Sequence, residues 1–338
     1  MAEELRLIEL GIWTAPGDRA RLAEQAAAAE ARSTVVLETF ADEWLKEREL
    51  RPSTRKDYRL LLNNHIFPIL GVRPIVEIDQ RAVDAWYRQM GKKGLPRARA
   101  KAYSLLKTVM NSVVEDRDYP SIVANPCRIK GAGLSRRQKN ITTAKPAELR
   151  LLMQDLPERL HAAVILAAWC ALRYGEVFEL RRRDVDLEDA VVRIRRGVSF
   201  VKGERIIGPP KTHSGIRDVT LPRSAVPVLR GHLARFVGRG PDALLFPSVS
   251  GTNLSPSTFA GYWVKARSAA GCNDIKFHHL RHTGAVWAAQ AGATIADLQA
   301  RLGHSTPAMA MIYQHTADER QRLLADAMPA VVQPGYSQ

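Results

Sequence analysis

Residues 158–180, ERLHAAVILAAWCALRYGEVFEL, followed by AVVRIRRGVSF (190–200), ERIIGPPKT (204–212) and GIRDVTL (215–221), decide the fold. The first stretch is apolar around most of its circumference up to Cys170, the pattern of a helix buried in a core. The other three alternate or carry β-branched residues between Gly and Pro breaks, which predicts a three-stranded antiparallel sheet. A core helix running into a small sheet means an α+β unit. Helical periodicity resumes downstream, with Gly292 and Gly303 in stop positions, Thr294 and Asp297 placed as a capping box, and Thr306-Pro307 supplying an N-cap and first turn.

Upstream the chain reads as helix throughout. Residues 1–32 are Ala-rich, with strong helix propensity and few large apolar groups. Four amphipathic helices follow: TFADEWLKEREL (39–50), STRKDYRLLLNNHIF (53–67) stopped by Pro68 and Gly71, DQRAVDAWYRQM (79–90) and RARAKAYSLLKTVMNSVVEDRD (97–118). They suit a small bundle over residues 33–124. Arg55, Lys56, Arg59, Arg97 and Lys101 are among the basic residues that punctuate it, as on a face lying along a phosphate backbone or on a solvated helix surface. Residues 125–140, with Arg136, Arg137 and Lys139, are rich in Gly and basic groups and read as an interdomain linker that could lie on DNA. A second helix-and-sheet domain is expected over 141–317, and a tail over 318–338.

The 338 residues are comfortable for two such domains. No apolar run approaches the ~20 residues that span a bilayer, and the acidic MAEELRLIEL start is unlike a secretory leader. The expectation is a cytoplasmic protein with no membrane association. Cys127, Cys170 and Cys272 are isolated, at neither disulfide-framework nor zinc spacing. Fifty Lys and Arg against 35 Asp and Glu give a net charge of +15, which favours a polyanionic partner.

Three short patterns carry chemistry: ALRYGE (171–176), HHLRHT (278–283) and LGHSTPAMAMIYQH (302–315). His278 and Arg281 are spaced to share a helix face, and the Pro307-led helix sets the distance from His304 to Tyr313. Glu176, three residues after Arg173, is placed to hold that guanidinium. The ordered series Arg173, Lys211, His278-x-x-Arg281, Leu302-Gly303-His304 and Tyr313 resembles the tyrosine recombinase signature of phage-type integrases. Each residue alone has bland readings, but their joint order is far more specific. The four-helix segment is similar to that family's core-binding domain, and the region from about Ile141 to its catalytic domain.

The resemblance implies a mainly α fold with a small antiparallel β-sheet, and transesterification of DNA through a 3′-phosphotyrosine on Tyr313. Two arginines, Arg173 and Arg281, can clamp the phosphate and neutralise its developing charge. His304 would donate to the same phosphate, His278 would assist proton removal from Tyr313, and Lys211 would protonate the leaving 5′ oxygen. Lys202 competes with Lys211 for that last role because hairpin register is easily misjudged. His279 and His282 read as structural. Arg181, Arg182, Arg183, Arg193, Arg195 and Arg196 read either as phosphate contacts or as a solvated face. No acidic cluster or nucleotide-binding loop is visible, so neither metal nor cofactor is expected.

The family further implies a C-shaped clamp on duplex attachment sites, a homotetramer on synapsed DNA, and a tail docking on a neighbouring protomer. A DNA-bending protein and a directionality factor are expected partners, in a bacterial host cell. The residues before the bundle leave no room for the arm-binding domain common in phage-type integrases, so the chain is expected to be naturally short or truncated. A chromosome-dimer-resolving or transposon-type recombinase, or a catalytically silent DNA-binding protein on the same scaffold, are the alternatives. The second would be marked by loss of Tyr313 or Arg173, and both are present.

Overall fold

The computed structural model describes residues 15–116, 122–134, 141–201, 203–210 and 212–314, together with Arg6, Trp13 and Tyr119. The chain divides into two compact units, Met1–Gln138 and Lys139–Gln338. Arg136, Arg137, Lys139, Lys202, Lys211, and the tail beyond Gln314 lie outside the described residues.

The first unit contains helices α1 (Pro16–Ser33), α2 (Leu37–Glu47), α3 (Pro52–Leu61), α4 (Gln80–Lys92) and α5 (Pro96–Glu115). The four expected bundle helices are α2 to α5. Their apolar faces meet in one core around Leu37, Leu45, Ile66, Trp86, Leu106 and Met110. Trp86 is fully buried because its indole nitrogen donates to the His65 carbonyl at 2.8 Å. Pro68 does not stop the third bundle helix: α3 continues as a π-helical segment, Leu62–Gly71, with Pro68 inside it. The wider turn moves the pyrrolidine ring away from the carbonyl it would strike in an α-helix. The start of the expected linker belongs to this unit, since Cys127 and Ala132 are buried in its core and Tyr103 accepts a hydrogen bond from the Ile129 amide at 2.8 Å.

In the second unit, α6 (Pro146–Gln154), the apolar α7 (His161–Trp169) and the single turn α8 (Tyr174–Val177) precede the strands. These are β1 (Val185–Asp186), β2 (Val191–Ile194), β3 (Gly197–Val201), β4 (Glu204–Gly208) and β5 (Arg217–Thr220). The expected single sheet is two: a three-stranded antiparallel sheet in the order β1-β2-β5, and a separate β3-β4 hairpin. AVVRIRRGVSF divides at Arg195-Arg196, where the first side chain pairs with Asp218 at 2.6 Å and the second with Asp184 at 2.5 Å. Beyond them the hairpin packs on α8 so closely that a Cβ at Gly175 would lie 2.3 Å from the Val198 carbonyl oxygen. That contact draws β3 off the line of β2.

Among the described residues five helices complete the unit: α9 (Val226–Phe236), α10 (Pro256–Ala269), α11 (Phe277–Gln290), α12 (Ile295–Leu302) and α13 (Pro307–Gln314). The expected caps are present. Thr294 and Asp297 form a reciprocal capping box, and Gly303 ends α12 in the left-handed conformation at φ 62°. The helix α11 lies on α7 at backbone contact, with Gly284 against Ala168, where a Cβ would fall 1.9 Å from the carbonyl oxygen. Nothing larger than hydrogen fits there. Gly284→Ala is therefore expected to destabilise the second unit by about 1–3 kcal/mol or more, read as a lower denaturant midpoint in equilibrium unfolding.

Candidate active site

The site is built where α7 ends. Ala171 takes a positive φ of 55°, a strained value for a residue with a side chain, and turns the chain so that Arg173 caps α8. The strained turn is tied down: Arg281, from the first turns of α11, donates through Nη1 to the Ala171 carbonyl and through Nη2 to the Leu302 carbonyl, both at 2.6 Å. One buried guanidinium thus joins the α7–α8 turn to the end of α12.

Glu176 is the centre of charge. Its carboxylate accepts from Arg173 Nη1 at 2.7 Å and from the Arg173 amide at 2.9 Å, and also from both terminal nitrogens of Arg217 at 3.1 and 2.9 Å. Burial alone would raise this carboxyl, but the hydrogen bonds and charge of Arg217, with the charge of Arg173, bring it down to about 2. Arg217 is itself buried and donates to the Arg301 and Gly215 carbonyls at 2.8 and 3.1 Å. Arg173 reaches the Gly303 carbonyl at 3.4 Å while its side chain stays 39% exposed, available to a ligand.

Arg173 and Arg217 thus close on one carboxylate, and Arg281 is tied to the neighbouring Ala171 turn. The consequence is legible at Arg281, where burial, then the charge of Arg173, lowers the guanidinium to about 9. His304 feels the same excess: burial, then Arg281, Arg173 and Arg217 in turn, lower its imidazole to about 4. Its buried Nδ1 has no hydrogen-bond partner among the described residues. An anion is what the cluster lacks, and a phosphodiester would supply it.

Tyr313 lies beside this cluster, 4% exposed, packed with Ala171, Ala285, Leu298, Leu302 and Ala310. Its ring is stacked with that of His304, centroids 6.2 Å apart. Burial raises the phenol above its ordinary value, while Arg281 and Arg173 pull against that rise. The phenolic oxygen is 2.7 Å from His282 Nδ1.

Of the residues expected from the sequence, Arg173, Glu176, Arg281, His304 and Tyr313 converge here. His278 is exposed on the first turn of α11, its ring edge-on to that of His282 at 4.8 Å. Lys211 lies outside the described residues, after Pro210 and before Thr212. His282, read from the sequence as structural, is the residue whose Nδ1 meets the phenol. Arg217 was missed altogether. Its signal was present in GIRDVTL, where Arg217 and Val219 occupy the buried register of β5 and a charge on the inward face marks a buried pair.

The other arginine groups do not form a free basic face. Arg181 pairs with Glu179 and Asp242, both at 2.9 Å, and Arg183 with Asp242 at 3.0 Å. Arg182 donates to the Gly238, Leu233 and Val237 carbonyls, and Arg193 pairs with Asp186 at 2.8 Å. In the first unit Arg55 donates to the Leu45 and Arg48 carbonyls and Arg59 pairs with Asp42. Lys56 is half-buried, whereas Arg97 and Lys101 are exposed at the start of α5.

Residues 142–320, which hold every element of the site, match the phage integrase family, and residues 36–90 match the phage integrase N-terminal SAM-like domain. The chain belongs to the phage integrase family. It is 43% identical over 288 residues to a putative prophage phiRv2 integrase of Mycobacterium tuberculosis, covering 85% of this chain and 76% of the relative. It is 38% identical over 333 residues to the integrase of Mycobacterium phage L5, covering 97% and 86% respectively. In fold it is similar to the Tn1549 transposon integrase solved with transposon right end DNA, at a TM-score of 0.70, 20% identity, and coverage of 86% of this chain and 100% of that one. It is also similar to the lambda integrase tetramer bound to a Holliday junction, at 0.62 and 20%, covering 90% and 83%. The expectation of a tyrosine recombinase is met, and this recombinase is an integrase-type enzyme acting on specific DNA sites. Among the described residues no helix is long and apolar enough to cross a membrane.

The depressed His304 value has a measurable sign. Its ordinary value of 6.5 holds for the unfolded chain, and about 4 for the folded recombinase, so the unfolded state binds more protons between the two. The stability that neutral His304 contributes is complete above 6.5 and is lost as pH falls toward 4. Histidine-selective NMR should find its ring neutral at pH 6 and its midpoint near 4, moving up when a phosphodiester offsets Arg173 and Arg281; a midpoint near 6.5 in the free protein would refute the charge excess.

Proposed function

We propose that the recombinase cleaves and rejoins duplex attachment sites through a 3′-phosphotyrosine on Tyr313, integrating or excising a phage or mobile element. The observation that carries this reading is the buried phenol set beside three guanidiniums, two of which share the Glu176 carboxylate while the third is held by the Ala171 and Leu302 carbonyls. Such a site is short of negative charge until a phosphodiester arrives, and its cations then stabilise the charge that grows on the nonbridging oxygens.

In this reading Arg173 and Arg281 clamp the phosphate, His304 donates to it through the ring nitrogen opposite Nδ1, and Glu176 with Arg217 holds Arg173 in place. His278, at the exposed start of α11, assists proton removal from Tyr313. Lys211 protonates the departing 5′ oxygen, which would otherwise leave as a costly alkoxide. The phosphotyrosine is close in energy to the bond it replaces, so the 5′ hydroxyl of a partner strand reverses the step. Four protomers would hold two sites, the tail of one docking on its neighbour, by analogy with the lambda tetramer. A DNA-bending protein and a directionality factor would set the outcome.

The covalent step is read with a nicked attachment-site substrate that traps the adduct. In EDTA, the wild-type chain should give a denaturation-resistant protein–DNA adduct and Tyr313→Phe none while binding the same site. Binding without an adduct from either protein would leave a silent DNA-binding scaffold as the better account.

Arg97 and Lys101 are free to meet phosphates in a way that Arg55 and Arg59, already engaged within the unit, are not. Replacing Arg97 or Lys101 by Ala should each reduce the slope of log affinity against log salt by about 1, measured by fluorescence anisotropy. The same change at Arg59 should alter the slope less and the stability of the unit more.

A further inference from the structure

We propose that the groove between α3 and α5 reads base edges of the attachment site, and that Asp57 selects a cytosine there by accepting a hydrogen bond from its exocyclic amino group. The proposal rests on the DNA-site reading above and deepens it, since it names the part of the first unit that recognises sequence rather than phosphate.

Two helices build the groove. Thr54, Asp57 and Leu61 come from α3, spaced three and four apart and so on one face, and Lys101, Ser104 and Leu105 come from α5 at the same spacing; the space they line is about 470 Å³. Leu105 is buried and Leu61 half-buried, so they form the floor, while Asp57, Lys101 and Ser104 are exposed. None of the ten residues of α3 is fully buried, so this helix contributes surface rather than core.

Along α5, Arg97, Lys101 and Ser104 follow one another at helical spacing, all three exposed. From Arg97 to Ser104 the axis rises about 10 Å, which fits within a major groove about 12 Å wide. With the two cations on phosphates, the Ser104 hydroxyl and the α3 wall of the groove come to the base edges.

Asp57 gives the groove its selectivity. It has no ion-pair or hydrogen-bond partner among the described residues, unlike Asp42, which pairs with Arg59, and Asp79, which caps α4. A lone carboxylate on a face that meets phosphates repels every duplex, whatever its sequence. A hydrogen-bond donor on the nucleic acid offsets that repulsion, and the donors that a duplex presents in its major groove are the amino groups of cytosine and adenine. Adenine sets the acceptor N7 beside its amino group, where it opposes the second oxygen of a carboxylate; cytosine has a C–H on that side. An acid here therefore favours cytosine and penalises guanine and thymine, whose major-groove edges offer acceptors.

The test uses the full chain and a library of randomised duplexes. The bound fraction is sequenced, and affinities for the recovered site and its single-base variants are measured by fluorescence anisotropy. The wild-type chain should recover a site with cytosine at a position that Asp57→Ala releases: discrimination at that base pair should fall about 10-fold, with the preferences elsewhere retained. Asp57→Asn should move the preference at the same position to adenine, because an amide matches its amino group and N7 together. That switch is a new preference, which a folding defect does not produce. Asp57→Ala should also bind unrelated duplex more tightly than the wild type, whereas Lys101→Ala should weaken binding to every sequence alike. An unchanged base preference in Asp57→Ala would overturn the proposal and leave Asp57 a solvated acid. Loss of preference at all positions together, with a lower urea midpoint, would overturn it in favour of a structural role. Failure of the wild-type chain to enrich any site would remove the DNA-site reading and this inference with it.

Discussion

The buried carboxylate of Glu176 is the constraint on which the second unit depends. Arg173 and Arg217 close on it from the α8 turn and from β5, and without it the buried Arg217 guanidinium would lose its counter-ion. Leaving such a charge unpaired costs several kcal/mol, far more than any exposed ion pair on the same unit contributes. Arg217 extends the constraint to the Arg301 and Gly215 carbonyls, so the end of α12 and the turn before β5 are registered against the same point.

Backbone contacts supply the rest of the rigidity. Gly284 lets α11 touch α7, and Gly175 lets the β3-β4 hairpin touch α8. Between those contacts Arg281 bridges the strained Ala171 turn to Leu302. The guanidiniums are therefore placed before any ligand arrives, and their mutual repulsion is held in the fold. Preorganised cations of this kind do not have to reorient when charge develops on a reacting phosphate.

Much of this was legible beforehand because it is local. The core helix at 161–169, the capping box at Thr294, the stop at Gly303 and the start at Pro307 each follow from a few neighbouring residues. The ordered Arg173, Arg281, His304 and Tyr313 were legible for a different reason: their types and order match a chemistry that needs cations and a nucleophile. Pro68 misled because its usual penalty assumes α-helical turns, and the chain widens there instead. The sheet misled because the break at Arg195-Arg196 depends on Asp184 and Asp218, and on α8 behind the hairpin, none of which is visible in the alternation of the strands.

By itself, then, the amino-acid sequence determined the two-domain helical layout, the α+β character of the second domain, the basic charge and the family of the chain, all of which rest on periodicity, composition and motif order. Tertiary structure alone decided that His282 Nδ1 meets the Tyr313 phenol and that Arg217 completes the charge cluster. His278 and His282 are one helical turn apart and equivalent as residue types, and only the packing of α13 against α11 brings the phenol to His282 Nδ1. Arg217 reads as one more basic strand residue until β5 turns it inward onto a carboxylate 41 positions earlier in the chain. Contacts between residues distant in sequence depend on how helices and strands approach, and that geometry is a property of the packed core.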